Sequence, residues 1–541
     1  MNLRSGTFRL SVIMAALMAA AGSLAFAAED LVLPSPSLPP EKVIDQLVEA
    51  GWKEQGTMPA APADDFNWLR RVSLDLTGRI PTGPEVAAFA ADKSPGKKSK
   101  VIESLMASSA FVRHQARELD WYLTRDKNSP LSAYLNRALA EKRGWDRIFK
   151  ELMLANEADA STKGTTVYLK QKVRDLDRLT NDVSVAFFGV NISCAQCHDH
   201  PLVSDWKQDH FYGLKSFFSR TFEVGEFLAE RDYGVVRFLP NKGKEKQAEF
   251  MFLTGAKVAP PGAGEPTKDQ QKADAKKVEE WKKSKTQPPA PSASARAKLV
   301  ELALSAKEKE FFDKALVNQV WYRMFGHGLV MPLDQMHSEN PPSHPELLAW
   351  LARDFSSHGY DIPRLIKGMV SSRVYGLSSR HEGGSSPPAN QFAVARLKPL
   401  TPMQMAVALK LAGMVVGASE VEKKVEEAER SARGLADQFP PVSEDFQVGV
   451  AEALFMANGS RFNGNEVFPE GADKLLTAMS KAPSDDARAD MAVRGVLARP
   501  AVADEASFIA NYIKRHPGDP KEACRQVIWS LMASPEFRFN Y

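Results

Sequence analysis

The chain is poor in the features that most readily betray a function. It has three cysteines in 541 residues, Cys194, Cys197 and Cys524. So few exclude a disulfide framework, and stability must come from buried apolar surface. No charge of one sign dominates: 70 Lys and Arg stand against 67 Asp and Glu, a formal net charge of +3. That balance gives no global field to draw in nucleic acid or an anionic membrane, and neither is an expected partner. Beyond the N-terminus no run is long and apolar enough to span a bilayer. A phosphate-cradling glycine-rich loop, a His-Glu-x-x-His helix and a nucleophile elbow are all missing. An enzyme acting on surface polysaccharide would need a pair of catalytic carboxylates, and none is identifiable. No repeat of fixed period is present. No catalytic constellation is recognisable apart from one potential redox centre.

What is present is ordinary globular material, 44% hydrophobic and 25% charged. The length alone suggests about three domains of ~150 residues. The N-terminus opens with Arg4 and Arg9, continues through an Ala-, Met- and Leu-rich run from Leu10 to Leu24, and reaches Ala25-Phe26-Ala27. A basic start, a short apolar run and an A-x-A site make residues 1–27 a secretory signal peptide. Export to the periplasm or cell surface follows, with no membrane span after cleavage. Left uncleaved, the segment would tether the protein to the inner membrane.

The expected fold class is mainly α: two helical domains, a small β-hairpin element near 221–255 and a disordered linker. Residues 28–63, rich in Pro and Ala, read as a flexible segment with one helical stretch around Glu41–Trp52. The first domain occupies 64–257. Phe66, Leu69, Val72 and Leu76 recur at helical spacing up to Gly78. Thr82 and Glu85 are spaced as a capping box. Further helices are expected after Ser94-Pro95, from Ser109, over Asp175–Phe188 and over Gln208–Phe218. Tyr233–Leu239 and Glu249–Leu253 resemble two short strands. Residues 258–298, rich in Pro, Lys, Ala and Ser, cannot easily bury a core and read as a linker or exposed insertion. The second helical domain spans 299–541. It includes a helix through Phe311 and Met324 to Gly326, a capping-box spacing at Ser343 and Glu346, and later helices near 402–414, 419–438, 470–481, 485–498, 503–514 and 520–533. Cys524 falls on an apolar helical pattern and reads as a small buried hydrophobe.

One motif carries chemistry: Cys194-Ala195-Gln196-Cys197-His198. Cys-x-x-Cys-His is the attachment signature of c-type haem. Two thiols near one turn can add across the vinyl groups on one side of a porphyrin, and the adjacent imidazole can reach the iron. Cys194 and Cys197 are then the attachment points and His198 the proximal ligand. The same residues admit a Cys-x-x-Cys redox or structural disulfide. They also admit zinc or another transition metal, with His198, His200 and His210 as ligands. The lack of a second cysteine pair excludes an all-cysteine zinc site. No residue is fixed as a second axial ligand; His210, Met251, His327 and Met331 are the candidates. Trp206, Phe211, Tyr212, Phe217 and Phe218 could wall a haem pocket or simply pack a helix into the core. Ser343-His344-Pro345-Glu346 reads as a helix cap and not as a catalytic Ser-His pair.

Longer strings surround these residues. Arg70-Arg71-Val-Ser-Leu-Asp-Leu-Thr-Gly78 with Ile80-Pro81-Thr82, and Val190-Asn-Ile-Ser-Cys-Ala-Gln-Cys-His-Asp-His-Pro201 with Trp206 and Tyr212–Phe218, resemble a planctomycete-type secreted cytochrome-c-like family. Val317-Asn318-Gln-Val-Trp321, Phe325-Gly-His-Gly-Leu-Val330, Asn340-Pro-Pro-Ser-His-Pro-Glu-Leu-Leu348 and Ser534-Pro-Glu-Phe-Arg-Phe-Asn540 resemble its companion domain. The resemblance covers most of 65–220 and 300–541. It implies two consecutive domains of unknown function, and it makes His200 and Pro201 part of the motif. Relatives often carry a separate cytochrome c domain ahead of the first, which this chain lacks. The expectation is therefore an exported redox or electron-transfer protein with one haem c. Its partner would be a redox protein or a cell-surface component. The alternative is a secreted structural or interaction protein with a non-haem metal or disulfide at the same motif.

Overall fold

The computed structural model describes residues 32–126, 129–155, 159–262, 264–442, 449–459, 467–468 and 474–541. The signal peptide expected at 1–27 lies outside the described residues, as does the start of the helix expected at 470–481. The protein is mainly helical, with 23 α-helices and only two-stranded sheets among the described residues. None of those helices is long and apolar enough to cross a membrane.

The central helix of the first half is Asp65–Thr77. Asp64 caps it by accepting from the N–H groups of Phe66 and Asn67, both at 3.0 Å. Gly78 ends it at φ 69°, and a Cβ there would sit 2.5 Å from His114 Nδ1, so both the torsion and the space call for glycine. Every residue from Trp68 to Thr77 is buried, which places the helix inside the molecule and not on a face. The capping box at Thr82 and Glu85 forms as spaced, with Thr82 N–H donating to Glu85 Oε2 at 2.7 Å at the start of Gly83–Ala91. Arg79 grips the same carboxylate with two 2.7 Å bonds.

Several local expectations shift. Ser108, not Ser109, caps the helix Ser109–Thr124. His344, not Ser343, is the N-cap residue of Pro345–Ser357, because Pro345 takes the first helical position, where its fixed φ and missing N–H are tolerated. The two strand-like runs do not pair with each other. Arg237–Phe238 pairs with Lys246–Gln247, and Phe250–Met251 with Lys257–Val258. Each strand takes the nearest chain segment able to fold back on it. A third hairpin joins Thr221–Val224 to Phe227–Glu230. The segment 258–298 is largely exposed, yet it carries a 17-residue helix, Lys268–Ser284, with no buried residue, and ends in the buried start of the helix Ala295–Ala303. Thr267 and Gln270 cap that helix, a local signal that operates without a core. The stretch around Glu41–Trp52 is not loose: Pro40–Gln55 buries Val43, Ile44, Val48 and Trp52.

Residues 33–541 form one compact unit. The main core draws on both halves: Trp145, Phe149 and Phe187 from the first pack with Phe312 from the second, Phe149 to Phe312 at 5.1 Å between ring centres. A second core gathers the helices Pro402–Ala412, Asp485–Leu497 and Pro520–Met532 around Leu74, Ile80 and Ala110. Cys524 is fully buried there.

Between these cores lies buried charge. Asp75 accepts from Tyr375 Oη at 2.8 Å, from Lys398 Nζ at 2.7 Å and from Asn540 Nδ2 at 2.8 Å. Lys398 also donates to the carbonyls of Arg323 and Met324. Arg71 donates to the carbonyls of Tyr375 and Leu377, and Arg70 to that of Phe537. Lys398–Pro399 pairs as a short strand with Phe539–Asn540, and one carboxylate thus gathers three distant segments.

Removing one partner of a buried ion pair leaves the other charge uncompensated, at about 3–5 kcal/mol. Asp75→Ala is therefore expected to lose stability of that order in urea unfolding, with both cores affected together. His114 is buried, and burial holds its pKa well below the ordinary imidazole value. The unfolded chain then binds a proton that the folded chain refuses, so stability falls as pH drops through about 6.5. Denaturation midpoints at about pH 5.5 and about pH 7.5 should differ in that direction. The difference should shrink in His114→Gln.

Candidate functional site

The motif begins where the helix Leu176–Phe188 stops. Gly189 takes φ 68°, and a Cβ on it would lie 2.9 Å from Met336 Sδ. Torsion and packing both exclude a side chain. Asn191 then sets the next turn: its Oδ1 accepts from Ser193 N–H at 3.2 Å and Ser193 Oγ at 2.7 Å. Ser193–Gln196 is a single 3₁₀ turn. Cys194 lies in the turn and Cys197 follows directly as its C-cap, three residues on. Both thiols are free and exposed, while Ala195 between them is fully buried and anchors the turn. Tyr212 Oη donates to the Gln196 carbonyl at 3.0 Å and Gln208 Nε2 to the same oxygen at 3.4 Å. Asp199 Oδ1 accepts from the N–H of Gln208, the first residue of the helix Gln208–Ser216.

The three histidines differ in what their rings can do. His198 is exposed, with Nδ1 2.7 Å from the Asp199 carbonyl oxygen. A carbonyl only accepts, so this bond assigns the proton to Nδ1 and leaves the lone pair on Nε2, the arrangement that orients a ligating imidazole. His200 is the reverse. Its Nδ1 faces the N–H groups of Leu202 and Val203 at 3.3 and 3.1 Å and must accept, so the neutral ring carries its proton on Nε2. His210 Nδ1 likewise accepts from Lys207 N–H at 3.1 Å as part of a helix cap, and burial lowers its pKa. Its ring stands edge-on to Trp206 at 5.9 Å. Only His198 of the three is prepared to donate through Nε2. Among the described residues, no group of three or more His, Cys, Asp and Glu could hold a metal ion. His198, His200 and His210 are therefore not brought together as a cage.

The aromatic cluster belongs to the core. Trp206, Phe211, Phe217 and Phe218 are buried, and only Tyr212 is partly open, stacked on Phe238 at 4.1 Å. Of the other second-ligand candidates, Met251 is buried in a strand against Gly213. His327 packs 6.3 Å from the Phe392 ring, and Met331 precedes a cis-proline. A cavity of about 480 Å³ lies elsewhere, lined by Pro36–Pro40, His358 and Arg364.

Sequence reasoning missed the other half of the site. Residues 334–338 run along the motif loop. Asn191 N–H donates to the Asp334 carbonyl at 2.7 Å and Asn191 Nδ2 to Asp334 Oδ2 at 2.9 Å. Val190 bridges Gln335, and Met336 N–H donates to the Gly189 carbonyl. On the far side of the motif, Asp205 accepts from Ser338 N–H at 2.9 Å and Oγ at 2.7 Å. More than 130 residues separate the partners, and no local signal could have joined them.

These features define a helical protein of two consecutive modules sharing one compact unit. Residues 43–223 match the family model PSCyt2, described as a protein of unknown function (DUF1549), and residues 295–434 match PSD1, described as a protein of unknown function (DUF1553). The chain thus carries both domains in the order its motif strings suggested. No curated protein and no solved structure matches it.

Gly189 offers a direct check on the site's geometry. An L side chain in the left-handed region costs about 1–2 kcal/mol, and Met336 must also give way. Gly189→Ala should lower the melting temperature by several degrees and raise the alkylation rate of Cys194 as the loop loosens.

Proposed function

We propose that the protein is an exported electron-transfer protein in which Cys194 and Cys197 carry a covalently attached haem c and His198 is the proximal ligand. The observation that carries this reading is the combination at one turn. One exposed thiol sits in the 3₁₀ turn Ser193–Gln196, a second caps it at Cys197, and the next residue holds an imidazole fixed with its lone pair on Nε2. These are the residue types that covalent attachment and proximal ligation of a haem call for. Cys194 and Cys197 would hold the group by adding their S–H bonds across its two vinyl double bonds, with no net change of oxidation state. When bound, the haem supplies a one-electron iron couple. The residues of the chain do the rest. Asp199 orients His198 through its carbonyl, and Ala195 pins the turn to the core. Leu202, 83% exposed, leaves an uncovered apolar side chain on the same loop.

The site's exposure suits exchange with a redox partner protein or a cell-surface component. Haem c chemistry belongs outside the cytosol, which agrees with the signal-like sequence at 1–27. A multi-histidine metal site gains no support, because His200 and His210 both spend Nδ1 as an acceptor.

Expression in a host that matures c-type cytochromes, followed by a pyridine haemochrome spectrum, tests the reading. One covalent haem per chain is expected, lost in Cys194→Ser/Cys197→Ser. A colourless wild-type protein, with free thiols, a Cys194–Cys197 disulfide or bound zinc, would overturn it.

A further inference from the structure

We propose that the exposed helix Lys268–Ser284 is a docking platform for a linear polyanion, an acidic polysaccharide carrying one carboxylate per sugar. The proposal is independent of what Cys194 and Cys197 hold.

A lysine-rich segment that buries nothing ordinarily stays a loose excursion. This one is rooted at both ends on the same point. At its entry the Arg220 guanidinium donates to the Pro261 carbonyl and to the Asp232 carbonyl, the latter at 3.1 Å. Gly262, at φ 66°, passes so close that a Cβ would stand 2.3 Å from the Asp232 carbonyl oxygen. At its exit the Asp232 carboxylate accepts from Ser292 Oγ at 2.7 Å and from Ala293 N–H at 3.3 Å. Between these roots the helix carries its own caps, and Tyr233 Oη donates to Asp274. Asp274, Val278 and Trp281 are its partly covered residues. They recur at helical spacing and mark the side turned to the protein.

The opposite side is a ridge of charge. Lys268, Lys272, Lys276 and Lys283 fall within about a quarter turn of one another, across the helix from Val278 and Trp281. All four are exposed, and none makes an ion pair among the described residues. Glu279 alone of the acidic residues falls within the same arc. The first three lysines stand about 6 Å apart along the axis, and the ridge runs for about 22 Å.

What this line of charge fits follows from what it lacks. Protein interfaces are held by aromatic and apolar anchors, and single-stranded nucleic acid by stacking aromatics; the ridge has neither. A helix lying in a membrane interface turns its apolar side to the lipid, whereas Val278 and Trp281 are turned to the protein. A hydrated linear polymer with evenly spaced carboxylates needs only a matching row of cations. The rooting at Asp232 keeps that row in place before the polymer arrives, so little ordering is left for binding to impose.

Fluorescein-labelled polygalacturonate is the probe, titrated with the full chain at low ionic strength and followed by anisotropy. Wild type should bind, and more weakly as salt is raised. Lys272→Gln/Lys276→Gln removes two charges from the ridge and should weaken binding by about tenfold or more. Lys277→Gln/Lys282→Gln removes two charges from the flanks of the same helix and should weaken it by less than about threefold. The two pairs change the net charge equally, so the comparison separates the ridge from bulk charge. All four substituted residues are exposed, and melting temperatures should stay at the wild-type value. Lys272→Arg/Lys276→Arg should bind like wild type. Equal losses in the two glutamine pairs, or no binding by wild type, would overturn the proposal. So would poly-L-glutamate, duplex DNA or phosphatidylglycerol vesicles bound as tightly as polygalacturonate, since each would name another class of partner.

Discussion

Asp75 is the point on which the rest of the structure depends. A carboxylate on a fully buried helix is tolerable only if its charge and lone pairs are met, and three separate segments meet them. Tyr375 follows the helix Ile362–Ser371, Lys398 lies on a short strand, and Asn540 sits in the strand that pairs with it. Apolar packing alone would accept many relative placements of these segments. The carboxylate accepts one, because each donor must arrive within hydrogen-bond distance at once. Arg70 and Arg71 extend the same logic from the helix's next turn, each gripping carbonyls of the far half. The two cores meet across this helix, whose Leu74 belongs to one and whose Val72 and Leu76 belong to the other.

That architecture has a direct effect on the motif. The two matched modules do not behave as beads on a string, since residues of both line the main core. The turn bearing the thiols is held from beneath by Ala195 and at its ends by Asn191 and Asp205, whose partners come from residues 334–338. Its outer side remains open. A surface site is thus fixed in place by interior contacts without being covered by them.

Local chemistry was the legible part of the sequence. Glycine stops at Gly78, Gly189 and Gly326, the Thr82–Glu85 box and the helices expected near 402–414, 485–498, 503–514 and 520–533 read correctly because each depends on residues within a turn of one another. Errors arose where neighbours compete. Pro345 displaced the cap from Ser343 to His344, and the strand-like runs found closer partners than each other. The helix Lys268–Ser284 was hidden by a composition that signals exposure, which it has, and not by any lack of capping residues. In the site, the cysteines and His198 stood out from their spacing. The unequal roles of His198, His200 and His210 did not, because the proton position on each ring depends on which backbone group faces Nδ1. The docking of residues 334–338 was invisible for a different reason: Asn191 and Asp334 are 143 residues apart.

That separation also sets an order of events. A chain made from its N-terminus presents Cys194 and Cys197 well before Asp334 and Ser338 exist to hold the loop around them. During that interval the two thiols sit on an untethered stretch, open to whatever chemistry modifies them. Once the later segment arrives, Gly189 packs on Met336 and the course of the loop is fixed, while both thiols stay open to solvent. The distance along the chain between the motif and its clamp therefore makes the shape of the loop, though not the exposure of its thiols, a late product of folding.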